Sequence, residues 1–167
     1  MPDQEHTTTD ALLPEQVLVA VFRERNLKLA LAESCTGGMI AARITSVPGA
    51  SDIFKGGVVC YANEVKRDLL GVPQGILETE GAVSASCAKA MAEGARRALQ
   101  SDIAVSVTGV AGPGGGTPAK PVGCVFIGIA TQGAVSAERH LFTGDRAAIR
   151  QQASDAAMRI ALESVQP

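Results

Sequence analysis

Residues 28–46 read KLALAESCTGGMIAARITS, and the order of residue types in them decides the architecture. Lys28 to Glu33 is short and mostly apolar, as a buried strand is. Ser34 to Gly38 then packs two glycines into a tight turn, and Met39 to Ser46 resumes apolar residues at helical spacing until Pro48 closes the run. The expected order is strand, turn, helix.

Working outward, Pro14 suits a first helical turn and is followed by Val17, Leu18, Val21 and Phe22, so a helix is expected from Pro14 to about Asn26. Downstream, Gly57 to Tyr61 (GVVCY) reads as a buried strand, with Asn63 as N-cap of a short helix over Glu64 to Leu70 that stops at Gly71 and Pro73. Ser84 caps a longer helix with Cys87, Ala90, Met91, Gly94, Ala95 and Ala98 on its inward face, residues small enough to let it approach a sheet. Ile103 to Val107 is another apolar strand. Val122 to Thr131 and Ala134 to Phe142 form a hairpin about Gln132-Gly133, and a last helix runs from about Asp145 to Val165 with Ile149, Ala153, Ala156 and Ile160 buried. This alternation predicts an α/β protein of three layers, α/β/α, with a mixed, mostly parallel sheet and a C-terminal β-hairpin followed by a long helix. Met1 to Thr9 reads as a loose tail, and residues 10–167 as a single domain.

Composition narrows the function. With 46% hydrophobic and 19% charged residues in 167, the chain can bury a core and is no disordered segment. A net charge of −2 and five aromatic residues (four Phe, one Tyr, no Trp) argue against a nucleic-acid partner. Cys35, Cys60, Cys87 and Cys124 form no Cys-x-x-Cys pair, so neither zinc nor a disulfide framework is expected, and buried free thiols are the simplest reading. No apolar run reaches the length of a membrane span, and the start lacks the order of a signal peptide. A cytoplasmic protein without metal or membrane partner is expected.

Four regions could carry chemistry. Ser34 stands where a strand meets a helix, so the free N–H groups of the first helical turn could receive developing negative charge; alternatively, Ser34 or Thr36 merely caps that helix. Lys66 falls at the third helical position if Asn63 is the cap, near the positive end of the helix dipole. An ordinary lysine is almost wholly protonated at neutral pH, so a lysine base needs burial or neighbouring positive charge; taken alone, an exposed surface lysine is the commoner case. Tyr61, at the carboxyl end of its strand, could relay a proton or simply pack its ring. Arg146 and Arg150 lie one helical turn apart near a helix start, where they could clamp a phosphate, or Arg146 could pair with a nearby acid such as Asp145, or both could stand as solvated charges. The segment Gly109 to Gly116 could offer an anion consecutive N–H groups or be a plain connector, and it lacks the Lys-Ser/Thr of a Walker loop.

Taken together, Glu33-Ser-Cys-Thr-Gly-Gly38, Tyr61-Ala-Asn-Glu-Val-Lys66, Gly81-Ala-Val-Ser84, Thr108 through Gly116, Lys120-Pro-Val-Gly123 and Phe142-Thr-Gly-Asp-Arg146 through Arg150 occur in an order that closely resembles the CinA C-terminal domain family, which includes nicotinamide-nucleotide amidohydrolases. The resemblance implies hydrolysis of the carboxamide of nicotinamide mononucleotide to nicotinate mononucleotide and ammonia, in pyridine nucleotide salvage and without a cofactor. It implies Ser34 as nucleophile with Tyr61 and Lys66 as proton-transfer partners. Thr36, Gly37, Gly38, Thr108, Gly109, Gly112, Gly114, Gly115, Arg146 and Arg150 are the substrate-binding residues it implies, and a homodimer or higher homo-oligomer the assembly. Two alternatives stand beside it: a non-catalytic nucleotide-binding module of the competence and damage response, and an amidase acting on a related small amide.

Overall fold

The computed structural model describes residues 11–166. The expected tail, Met1 to Thr9, lies outside them. The chain order is α1 (Pro14–Glu24), β1 (Leu29–Glu33), α2 (Met39–Thr45), β2 (Phe54–Val59), α3 (Asn63–Leu70), α4 (Gln74–Thr79), α5 (Ala85–Leu99), β3 (Ile103–Gly109), β4 (Cys124–Ala130), β5 (Val135–Leu141) and α6 (Arg146–Glu163), with one 3₁₀ turn at Ala50–Asp52. The strands form one sheet in the order β2-β1-β3-β4-β5. β1 is parallel to both β2 and β3, whereas β4 is antiparallel to β3 and to β5. Four strands therefore run one way and β4 alone the other, so the sheet is mixed with one prevailing direction.

Helices cover both faces. Leu29 and Leu31 of β1 point into a core shared with Leu18 and Phe22 of α1, Ile40 and Ile44 of α2, and Ile149, Ala153 and Ile160 of α6. Ala30 and Ala32 point the other way, against Cys87, Met91 and Ala95 of α5 and Leu70 of α3. Alternation of large and small residues along β1 thus sets how near each helical layer comes: leucines hold one layer off, and alanines let α5 lie close. Each fully buried Leu or Phe contributes about 1.5–3 kcal/mol.

Several expectations shift. β2 begins at Phe54 and ends at Val59, and as an edge strand it alternates between half-buried and exposed residues instead of being buried throughout. Ala62, not Asn63, is the N-cap of α3, and no side chain caps that helix, which moves Lys66 from the third helical position to the fourth. The buried face of α5 includes Ala88 and Ala92, while Ala98 is exposed. Gly94 meets the carbonyl of Leu70 in α3 and not the sheet, because a Cβ there would lie 2.0 Å from that oxygen. α4 is unassigned by the sequence reading. The hairpin, the Ser84 cap and the α6 stripe form as expected. No helix among the described residues is long and apolar enough to cross a membrane.

Candidate active site

Sheet direction gathers the site. Ser34 follows the carboxyl end of β1, Tyr61 and Lys66 follow that of β2, the glycine-rich loop follows β3, and Arg146 and Arg150 follow β5; these four strands share one direction, so the segments meet at one edge of the sheet.

There, Lys66 Nζ lies 3.0 Å from Ser34 Oγ, across 32 positions of sequence. The same nitrogen donates to the carbonyl oxygens of Cys60, at 2.7 Å, and Tyr61, at 3.2 Å. Lys66 is only 2% exposed, and no acidic side chain among the described residues pairs with it. Two carbonyl oxygens and one hydroxyl oxygen thus surround Nζ, all within its hydrogen-bonding reach. That is the arrangement a serine nucleophile and its base require.

Around Ser34 the turn is held from two directions. Glu33, 2% exposed, accepts from the N–H groups of Gly38 at 3.0 Å, Ile40 at 3.2 Å and Ala41 at 2.9 Å. It supplies the cap that Gly38, in the left-handed region at φ 99°, has no side chain to provide. Arg150 donates from Nε to the Cys35 carbonyl at 3.1 Å and from Nη2 to that of Thr36 at 2.9 Å. The Ser34 N–H goes to Val107, that of Gly37 to Ser34, and that of Met39 to Thr36. Among the described residues, the N–H groups of Cys35 and Thr36 are left without a partner. The sequence reading looked to the whole helix start for oxyanion donors; Glu33 occupies three of them. Glu33 was missed as a functional residue, although a carboxylate closing the run LALA, on the face of Leu29 and Leu31, is a visible break in an apolar pattern.

The remaining positions divide. Tyr61 is 61% exposed, and its hydroxyl accepts from Arg146 Nη2 at 3.0 Å; only its main-chain carbonyl touches Lys66. The structure does not bring the phenol to Ser34. Arg146 also donates from Nη1 to the Gly112 carbonyl at 2.8 Å, so it bridges Tyr61 and the glycine-rich loop. Asp145 accepts from Ala148 N as the cap of α6, and it makes no ion pair with Arg146. Gly114, Gly115 and Gly116 are exposed, and their N–H groups make no hydrogen bond among the described residues. Thr108, in contrast, is buried and donates to the Ala82 carbonyl at 2.8 Å, and Gly109 is where a Cβ would meet Val125 Cγ2 at 2.6 Å. Both are packing positions in this structure. Thr36 is fully buried, and its Oγ1 has no hydrogen-bond partner among the described residues.

Cys35, beside Ser34, is 6% exposed, and burial pushes its thiol up to about 11. Burial likewise raises Cys60 to about 11. Among the described residues, no group of three His, Cys, Asp or Glu side chains is arranged to hold a metal ion.

A serine and a buried lysine at the carboxyl edge of a mixed sheet, facing an arginine and a glycine-rich loop, define a class: α/β domains with a Ser–Lys pair at the strand ends. The CinA C-terminal domain model matches residues 13–165, and the chain belongs to that family. It is 56% identical over 136 residues to a CinA-like protein of Geobacter metallireducens, covering 81% of this chain and 33% of that protein. The chain thus spans about a third of the length of the curated relatives it matches. Among solved structures, the competence/damage inducible protein CihA of Agrobacterium tumefaciens superposes with a TM-score of 0.90 at 37% identity, covering 92% of this chain and 94% of that one. A CinA superfamily protein of Klebsiella pneumoniae follows with a TM-score of 0.87 at 33% identity, covering 90% and 94%.

Proposed function

We propose that this protein is an amidohydrolase that converts nicotinamide mononucleotide to nicotinate mononucleotide and ammonia, in the cytoplasm, as a step of pyridine nucleotide salvage. The observation that carries the reading is the 3.0 Å contact between Ser34 Oγ and the buried, carboxylate-free Lys66 Nζ.

Lys66, in its neutral form, takes the hydroxyl proton of Ser34 as Oγ bonds to the carboxamide carbon. The carbonyl π pair moves onto oxygen, which the N–H groups of Cys35 and Thr36 receive. As the oxyanion collapses, the C–N bond breaks, Lys66 returns its proton to the departing nitrogen, and ammonia leaves an acyl ester on Ser34. Water then attacks that ester, giving a proton to Lys66. Cleavage of the C–Oγ bond frees the carboxylic acid product and returns the proton to Ser34. Lys66 does this directly, since the Tyr61 phenol lies with Arg146 and not with the nucleophile.

At the mouth, Arg146 and the open N–H groups of Gly114 and Gly115 suit the ribose phosphate, with Arg150 contributing the guanidinium donors it does not place on Cys35 and Thr36. Binding of that remote phosphate would position the amide at Ser34. The assembly would be a homodimer or a higher homo-oligomer.

The test is ammonia release over a panel of nicotinamide mononucleotide, free nicotinamide and related pyridine amides, with the wild-type protein and Ser34→Ala. The mononucleotide should be the best substrate, and Ser34→Ala should lower turnover at least about 10⁴-fold while the protein stays folded. No release from any amide would end this reading, and near-normal turnover by Ser34→Ala would end the covalent mechanism.

A further inference from the structure

We infer that Glu33 and Arg150 are positioning residues that together leave the N–H groups of Cys35 and Thr36 as the oxyanion hole; this rests on reading Ser34 as the nucleophile. The turn from Ser34 to Gly38 and the start of α2 present more N–H groups than an oxyanion needs. Three of them, at Gly38, Ile40 and Ala41, end on the Glu33 carboxylate, and those of Gly37 and Met39 end on main-chain carbonyls. Among the described residues of this segment, only Cys35 and Thr36, the two directly after the nucleophile, keep theirs free of hydrogen bonds.

Arg150 then fixes where the second of those two, the Thr36 N–H, points. In a trans peptide the C=O and the next N–H face opposite ways, so holding the Cys35 carbonyl fixes the direction of the Thr36 N–H. Its second bond, to the Thr36 carbonyl, keeps the following peptide from turning over. Both donors reach in from α6, 114 and 115 positions away in sequence.

The choice of residue at position 33 supports a role beyond filling space. Its side chain leaves β1 on the face of Leu29 and Leu31, where an apolar residue would extend the core. A buried carboxylate is costly unless hydrogen-bonded, and this one is bonded three times, all to the segment that carries Ser34. The competing account is an ordinary cap for α2, a helix of seven residues. It accounts for the bonds to Ile40 and Ala41 but requires nothing of catalysis.

Glu33→Gln and Arg150→Ala separate the two. Glutamine keeps the shape but sets an NH₂ group against N–H donors. The variants are compared with wild type below their unfolding temperatures in two ways. One is the rate at which a small alkyl fluorophosphonate labels Ser34, read by intact mass; the other is kcat and KM for nicotinamide mononucleotide. The probe has no ribose phosphate, so slower labelling of Arg150→Ala cannot come from lost phosphate binding. Labelling and kcat should both fall about a hundred-fold in each variant, as for loss of an oxyanion donor, with KM little changed in Glu33→Gln and raised in Arg150→Ala, which also loses a phosphate contact.

Folded variants that label and turn over like wild type would make Glu33 a cap only, and Arg150→Ala raising KM alone would make it a substrate ligand only; either result overturns the inference. Wild-type protein that labels at Ser34 but releases no ammonia would remove the proposed substrate, and the labelling rates would still decide this point; absence of labelling at Ser34 overturns it. Should Glu33→Gln not fold, amide exchange in the wild-type protein replaces it. Gly38, Ile40 and Ala41 should be protected more strongly than Cys35 and Thr36, and equal protection of all five overturns the inference.

Discussion

At the scale of single residues, the proposed use of Ser34 and not its neighbour Cys35 accords with how differently the two are placed. Sulfur is the better nucleophile, but burial holds the Cys35 thiol protonated, with its titration pushed up to about 11, whereas Ser34 is half-buried with an amine 3.0 Å away. Cys60, raised likewise to about 11, and Cys87, also raised by burial, line the opposite side of the sheet from the main core. All four cysteines are free and buried. Maleimide at neutral pH should therefore leave the native protein almost unlabelled over a time in which the guanidinium-unfolded chain takes up four labels, counted by mass. Fast labelling of Cys35 in the native state would mean that the turn after Ser34 opens.

Among elements, the position of Lys66 depends on how α3 seats against α5. Gly94 is the contact point, where the Leu70 carbonyl lies so close that a Cβ would come within 2.0 Å of it. Backbone on both sides leaves no flexible side chain to yield, so Gly94→Ala must push α3 outward. Overpacking of this kind costs about 1–3 kcal/mol. The shift should be felt at Lys66, one helical turn before Leu70 in the same helix. Gly94→Ala is expected to lower the urea midpoint by an amount matching that range and to slow fluorophosphonate labelling of Ser34, though residue 94 touches neither Ser34 nor Lys66. Unchanged stability would show that the two helices have slack. Gly75, where a Cβ would meet nothing within 4 Å, is the matching control.

For the whole molecule, one charged cluster ties the layer that faces the leucines. Arg43 of α2 donates to both oxygens of Glu15 in α1, at 2.7 and 3.3 Å, and to Asp155 of α6 at 2.7 Å. The hydrogen bonds from Arg43 hold the Glu15 carboxyl below its usual range, against the opposing effect of burial. A carboxylate whose titration is depressed by folding stabilises the fold at pH values above its unfolded titration, about 4.3, and that contribution disappears as the pH falls through the folded value. Urea midpoints measured from neutral pH down to pH 3 should accordingly fall below about pH 4.3. Glu15→Gln should be less stable at neutral pH by about 1–3 kcal/mol, and its midpoint should change less across the acid range. A Glu15→Gln profile parallel to wild type would assign the acid sensitivity elsewhere.

The fold was legible because it follows from local patterning: the period of the apolar residues, the glycines after β1, Ser84 as a cap and Gln132-Gly133 between two strands all act within a few positions of each other. The edge character of β2 was not, since GVVCY reads alike in an edge or a central strand and only its neighbours decide how much of it is covered. For the site, the sequence by itself determined the residue types, which segments they stand on, and, through the resemblance, the family. Tertiary structure alone decided that Lys66 is buried against Ser34, that the Tyr61 phenol turns to Arg146, that Thr108 and Gly109 are packing positions, and that Glu33 takes the donors at the start of α2. The reason is physical: those outcomes depend on contacts between groups far apart along the chain, and no local preference of a lysine, a tyrosine or a glutamate specifies which partner the sheet will bring to it.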